Sequence, residues 1–254
     1  MIYLSLGAGV QSTALLILSA SGRCPKADVA IFADTQDEPS WVYEQLEYLR
    51  GITTIPIETV TVGQLSRSDS RFLRIPAYTM NEDGSIGMLR RQCTREYKIA
   101  PIQKRVRELL GLKPGERSHG RVATAQIGIS TDEAHRAKDS DETYIRKTYP
   151  LLDLRMNRSD CVRFLEREGV RVPRKSACVF CPYHENGFWL DLKRNHGDEW
   201  QKVVEYDEKI RNSTRAGVIR PAFIHRSAVA MPLVDLNETQ IELFGNECEG
   251  LCGV

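Results

Sequence analysis

The chain opens Ile2-Tyr3-Leu4-Ser5-Leu6-Gly7-Ala8-Gly9-Val10-Gln11-Ser12-Thr13-Ala14-Leu15-Leu16-Ile17-Leu18 after its first Met. Ile2–Leu6 is a short apolar run, and Gly7-Ala8-Gly9 is a stretch of small residues. Val10, Ala14, Leu15, Ile17 and Leu18 then recur at helical spacing, so the order is strand, tight loop, helix. Small residues at such a junction let backbone N–H groups approach an anion, and the helix N-terminus adds positive potential. Ser5, Ser12 and Thr13 offer hydroxyls to the same place. The Gly-Lys-Ser/Thr ending of a Walker loop is missing. A tight turn with no ligand has the same composition, so this loop alone does not settle a function.

Working outward, Asp28–Phe32 and the β-branched Ile57–Val62 read as strands, and Val122–Ile129 as a further buried strand. Pro39–Leu49, with Pro near its first turn, and Ile99–Leu110 read as helices. Alternating strands and helices with short links imply an α/β fold, a parallel sheet flanked by helices with right-handed crossovers. Gly63–Met88 shows no period and reads as a long loop or lid, and Asp139–Tyr149 as polar and irregular. Ser159–Glu168 reads as a helix with a Ser-Asp cap, followed by helices over Gly187–Arg194 and Asp198–Arg211. The expected organisation is a nucleotide-binding α/β domain over 1–155 and a helix-rich, cysteine-containing region over 156–254.

Composition narrows the classes. Thirty-five basic and thirty-four acidic residues leave a formal charge of +1, which points to no particular partner. Local basic stretches remain, Arg90–Arg107 and Arg155–Lys175, and nucleic acid is one partner they would suit. No apolar run approaches the roughly 18 residues of a membrane span, so no membrane association is expected. The N-terminus has no basic segment or cleavage site of a signal peptide, which makes the cytoplasm the expected compartment. Oligomeric state is not legible.

Two further polar clusters fall at predicted strand ends. Asp34-Thr35 follows the second strand, and Gly128-Ile129-Ser130-Thr131-Asp132-Glu133-Ala134-His135-Arg136 closes the Val122–Ile129 strand. Ligands in open α/β sheets sit off the carboxyl ends of strands, so both clusters are expected beside the first loop.

The seven cysteines are an odd count without a secretory signal, which argues against a disulfide framework. Cys178-Val179-Phe180-Cys181-Pro182 spaces two thiols to share one metal or cluster. With Cys93 and His184 the pair would also make a closed zinc site. Cys248 and Cys252 form a second close pair near the C-terminus. Cys24 and Cys161 sit among apolar residues and are expected in the core.

Taken in order, these segments resemble the adenine nucleotide α-hydrolase-like, PP-loop ATP pyrophosphatase superfamily. The branch is that of the phosphoadenylyl-sulfate reductases, near the DNA-phosphorothioation sulfur-transfer enzymes. The family loop Ser-x-Ser-Gly-Gly-Lys-Asp-Ser falls on Ser5–Ser12, its Asp-Thr-Gly on Asp34-Thr35-Gln36, and its Gly-x-Arg-x-x-Glu-Ser-x-x-Arg on Gly128–Arg136. Pro150-Leu151-Leu152-Asp153-Leu154 and Ser159-Asp160 match a Pro-Leu-x-Asp-Trp and Asp-led helix.

The resemblance implies binding of ATP or another adenine nucleotide, with Mg2+, through Ser5, Gly7, Ala8, Gly9, Gln11, Ser12, Thr13, Asp34, Thr35, Gly128, Glu133 and Arg136. It implies catalytic roles for Cys248, Asp34 and Arg136. It also implies a [4Fe–4S] cluster on Cys93, Cys178 and Cys181, with zinc as the rival metal. Glu247-Cys248 and Gly250-Leu251 are similar to the reductase tail, so Cys248 or Cys252 would be nucleophile or fourth ligand. The loop departs from the family with Val10 for Lys and Gln11 for Asp, and Ser130 stands where the reductases place Arg. Losing two cations favours ATP-dependent sulfur transfer or adenylation, with a small-molecule, nucleic-acid or sulfur-donor protein partner, over sulfonucleotide reduction. A non-catalytic, zinc-stabilised nucleotide- or nucleic-acid-binding module would show the same losses.

Overall fold

The computed structural model describes residues 1–67, 73–212 and 220–237. In chain order the elements are β1 (Ile2–Leu6), α1 (Val10–Ala20), β2 (Val29–Asp34), α2 (Ser40–Ile52), β3 (Ile57–Thr61), β4 (Tyr78–Met80) and β5 (Ile86–Met88). A π-helical turn (Thr94–Ile99) leads into α3 (Ala100–Leu109), then β6 (Ala123–Ile127), β7 (Ile145–Thr148), α4 (Pro150–Asp153) and α5 (Arg158–Arg167). α6 (Asn186–Asn195), α7 (Gly197–Arg211) and β8 (Ala222–Phe223) follow. The chain divides into two compact units: Met1–Val62 with Thr94–Ser176, and Gly63–Cys93 with the described residues of Ala177–Cys248.

The first unit is an α/β layer built on one five-stranded parallel sheet, order β3-β2-β1-β6-β7. β2, Val-Ala-Ile-Phe-Ala-Asp, is an almost unbroken apolar run, as a parallel strand buried on both faces must be. Period two sends Tyr3, Val29, Ile31, Ala33, Ala123, Ala125 and Ile127 to one face, where Ile102 and Val106 of α3 close over them. α1 packs against β1 and α5. From β1 the chain winds outward through β2 to β3, then returns to lay β6 on the other side of β1. That reversal puts a topological switch point between β1 and β6.

Three local expectations change. Within Asp139–Tyr149, Ile145–Thr148 is β7, an edge strand whose alternation of one apolar and several polar residues hides it from an apolar count. The cap of α5 is Asn157, not Ser159-Asp160. Its side chain accepts from the Asp160 N–H at 2.8 Å while Asp160 Oδ2 accepts from the Asn157 N–H at 3.0 Å. Cys161 is buried, but Cys24 is only half-buried.

The second unit holds a small antiparallel sheet, β5-β4-β8, so the stretch read as a lid contains a hairpin. Asp207 on α7 is its organising group. The carboxylate accepts from the Ile224 and Met231 N–H groups at 3.0 and 3.1 Å and from Arg211 Nε at 3.1 Å. Burial nevertheless holds its carboxyl above the usual range. Trp189 is fully buried, with the His184 and Phe188 rings against it.

Candidate functional site

Register brings the predicted clusters to one edge of the parallel sheet. Ser5 lies level with Ile31 of β2 and with Ile127 of β6, so the segments after Leu6, Asp34 and Ile127 all leave from the strands' carboxyl ends. Ser5, Gly7, Ala8, Gly9, Gln11, Ser12, Thr13, Asp34, Thr35, Gly128, Glu133 and Arg136 all belong to this first unit.

The loop is folded back on its own helix. Ser12 Oγ accepts from the Gly7 N–H at 3.3 Å and donates to the Gly9 carbonyl at 3.2 Å. Ala8 adopts a left-handed backbone, φ +56°, a conformation that costs a non-glycine residue about 1–2 kcal/mol. Gly9 is the N-cap of α1 and contributes no side-chain cap, so the first-turn N–H groups have no intrahelical partner. The Gly7 carbonyl accepts from the Ser176 hydroxyl.

β6 presses on the same turn. A Cβ placed on Gly128 would stand 3.0 Å from the Ser12 backbone nitrogen and 3.1 Å from its Cα. Glycine is required there by close backbone approach, not by its φ. Buried Gln11 Oε1 accepts from Arg158 Nη1 at 3.0 Å, across 147 residues of sequence. Three buried polar atoms on α1 and on the segment after β6 have no hydrogen-bond partner: Gln11 Nε2, Thr13 Oγ1 and Ser130 Oγ. Buried polar groups are nearly always satisfied, so each of the three is an exception.

Asp34 Oδ1 accepts from Tyr43 Oη at 2.9 Å and from the Gln36 N–H at 2.7 Å. Burial, with the Asp34 carboxylate beside it, pushes the Tyr43 phenol well above its ordinary range, so it stays a donor. Next to it Thr35 donates to Glu38 Oε1 at 3.2 Å, and Lys98 Nζ from the π-helical turn meets the same oxygen at 3.0 Å. Glu133 and Arg136 pair with each other on a 3-10 segment, Thr131–Arg136.

No family model matches the chain, and no curated protein matches it. Among solved structures, phosphoadenylyl-sulfate (PAPS) reductase from Candida auris, crystallised as a phosphate complex, is similar at a TM-score of 0.42. Identity is 13%, over 68% of this chain and 74% of that one. A likeness that slight assigns no side chain a role.

Cys93, Cys178 and Cys181 fall in the second unit. Cys178 and Cys181 share one turn, in which the Cys181 N–H donates to the Cys178 carbonyl at 2.9 Å. His184 follows, its Nε2 3.0 Å from that carbonyl oxygen and its N–H donating to the Cys181 carbonyl. The His184 ring is thus engaged with backbone and stacked on Phe188 at 3.5 Å. The Cys93 N–H donates to the Arg74 carbonyl. Among the described residues no group of three or more Cys, His, Asp or Glu side chains is placed to hold a metal ion. Cys248 and Cys252 lie outside the described residues.

Several contributors were not legible from the pattern. Tyr43 and Glu38 come from the loop and helix just after β2, while Arg158, Ser176 and Lys98 arrive from distant segments. Lys98 and Arg158 sat in the stretches already marked as basic, but their partners lie 60 and 147 residues away.

Proposed function

We propose that the carboxyl edge of the parallel sheet binds ATP or another adenine nucleotide, with the phosphate chain on the Ser5–Thr13 loop. The observation that carries this reading is the set of buried, unpartnered polar atoms of Gln11, Thr13 and Ser130 beside an uncapped helix N-terminus at the switch point. Anions are stabilised there by unsatisfied N–H groups and by the helix dipole. Asp34 is the candidate holder of Mg2+, with one oxygen oriented by Tyr43 and Gln36. Gly128 lets β6 close against the loop, and Glu133 with Arg136 would address the nucleotide from the segment after β6.

The reaction we infer is adenylation. An acceptor oxygen attacks the α-phosphorus, the bond to the bridging oxygen breaks, and pyrophosphate leaves with the electron pair. Fixed donors that stabilise the leaving charge would supply most of the acceleration. A sulfur nucleophile from a donor protein or from Cys248 then displaces AMP from the activated carbon or phosphorus. A [4Fe–4S] cluster or zinc on Cys93, Cys178 and Cys181, completed by Cys248 or Cys252, rests on the residue pattern. Nucleic acid is an acceptor class motivated by the basic stretches.

Calorimetric titration with ATP and magnesium, alongside pyrophosphate release, tests the nucleotide site. Ser12→Ala and Asp34→Ala are expected to lower both by at least about tenfold, the scale of one lost charged or charge-assisted contact. Unchanged binding and release in both variants would remove the reading. Anaerobic purification with a visible absorption spectrum tests the metal: a coloured protein supports the cluster, and a colourless one with stoichiometric zinc replaces it.

A further inference from the structure

We propose that Arg158 is the cation of the phosphate site, entering the first turn of α1 from α5 in place of a lysine carried by the loop itself. The inference rests on the nucleotide reading above and names a binding residue that the loop pattern does not contain. The loop Ser5–Thr13 holds no Lys or Arg, so it supplies no cation of its own. Arg158 supplies one from the first helical position of α5, through its 3.0 Å contact to the second residue of α1.

Its placement is over-determined. The Asn157–Asp160 capping box fixes the start of α5, and the Arg158 N–H donates to Asp132 Oδ2 at 3.3 Å. Asp132 follows Thr131, whose own N–H donates to the Met156 carbonyl at 2.9 Å. The segment after β6 and the start of α5 are therefore tied together beside the loop. Gln11 completes the device as a positioning residue. Its uncharged amide oxygen accepts from the guanidinium, whereas a carboxylate at position 11 would form an ion pair and compete with a phosphate for the same donors. The Gln11 Nε2 left unpartnered by that contact is a second donor for the same anion.

The test is calorimetric titration of the full chain with ATP, inorganic pyrophosphate and adenosine, at fixed low salt. Arg158→Ala is expected to weaken ATP and pyrophosphate by about 10- to 100-fold, the range of a lost charged hydrogen bond. Adenosine should change little, and Arg158→Lys should recover part of the loss. Gln11→Glu should weaken ATP while leaving adenosine alone. Equal losses for adenosine and ATP would mean that Arg158 only holds the fold together, and would overturn the proposal. So would wild-type affinity for ATP in a folded Arg158→Ala protein, with the nucleotide site left standing. A wild-type chain that binds neither ATP nor pyrophosphate would overturn the nucleotide reading, and this inference with it.

Discussion

Gly128 and Ser12 approach so closely that a single methyl group on Gly128 would stand 3.0 Å from the Ser12 backbone nitrogen. The obstructing atoms are backbone in the first turn of α1, so they cannot swing away as a flexible side chain would. Gly128→Ala should therefore cost about 1–3 kcal/mol, as overpacking does, and displace the loop. Gly9→Ala is the control, since its Cβ would meet only Ser176 Cβ at 3.8 Å. Thermal unfolding should show a lowered midpoint for the first variant, by roughly 2–4 °C per kcal/mol, and a much smaller change for the second. Equal midpoints would mean the two backbones have room to separate.

Glu38 and Lys98 form an ion pair whose side chains are 1% and 9% exposed. Removing one member of a buried pair leaves the other charge without compensation, at a cost of about 3–5 kcal/mol. Lys98→Met alone should show that loss in urea denaturation. The double variant Glu38→Leu with Lys98→Met should lose clearly less, because no buried charge remains. If the double loses as much as the sum of the singles, the pair is not coupled.

Ser176 ties the segment after α5 to the Gly7 carbonyl, and the neighbouring Lys175 carbonyl accepts from Trp41 Nε1 at 3.2 Å. The Arg174 guanidinium lies 4.0 Å above the Trp41 ring. Ser176→Ala should cost about 0.5–1.5 kcal/mol and speed amide exchange in the first turns of α1. Exchange unchanged at those amides would separate Ser176 from the loop's rigidity.

His225 is buried, with Nε2 3.0 Å from Asn186 Oδ1 and Nδ1 2.8 Å from Ser227 Oγ. Burial, and secondarily Arg226, holds the ring at about 4, below its ordinary 6.5. In between, the unfolded chain binds the proton and the folded one does not, so stability falls as the pH drops through that window. It is fully present above about 6.5. Asp207, held above its usual range, works in the opposite direction and is common to both proteins compared. His225→Gln should remove the histidine contribution. The difference in denaturation midpoint between wild type and variant should shrink from pH 7 toward pH 4, and a constant difference would contradict a neutral buried ring.

Residue pattern alone established the α/β class and the position of the loop. Strands buried on both faces, such as Val29–Asp34, must be written as apolar runs, and a strand-to-helix turn must be written in small residues. The same logic placed Asp34, Gly128, Glu133 and Arg136 at strand ends. It failed at Ile145–Thr148, where an edge strand carries no continuous apolar signal, and at the cap of α5, where Asn157 competes with other short polar residues. It could not place segment 63–93 in one unit with the chain after Ser176 either, since nothing local encodes which distant segment a hairpin will pair with. Tertiary structure decided the strand order that puts Gly128 against Ser12, and the arrival of Arg158 at Gln11. Contacts across 147 residues leave no periodicity to read, because hydrophobic period reports how a segment meets the core and not which charged side chain will cross the sheet edge to meet it.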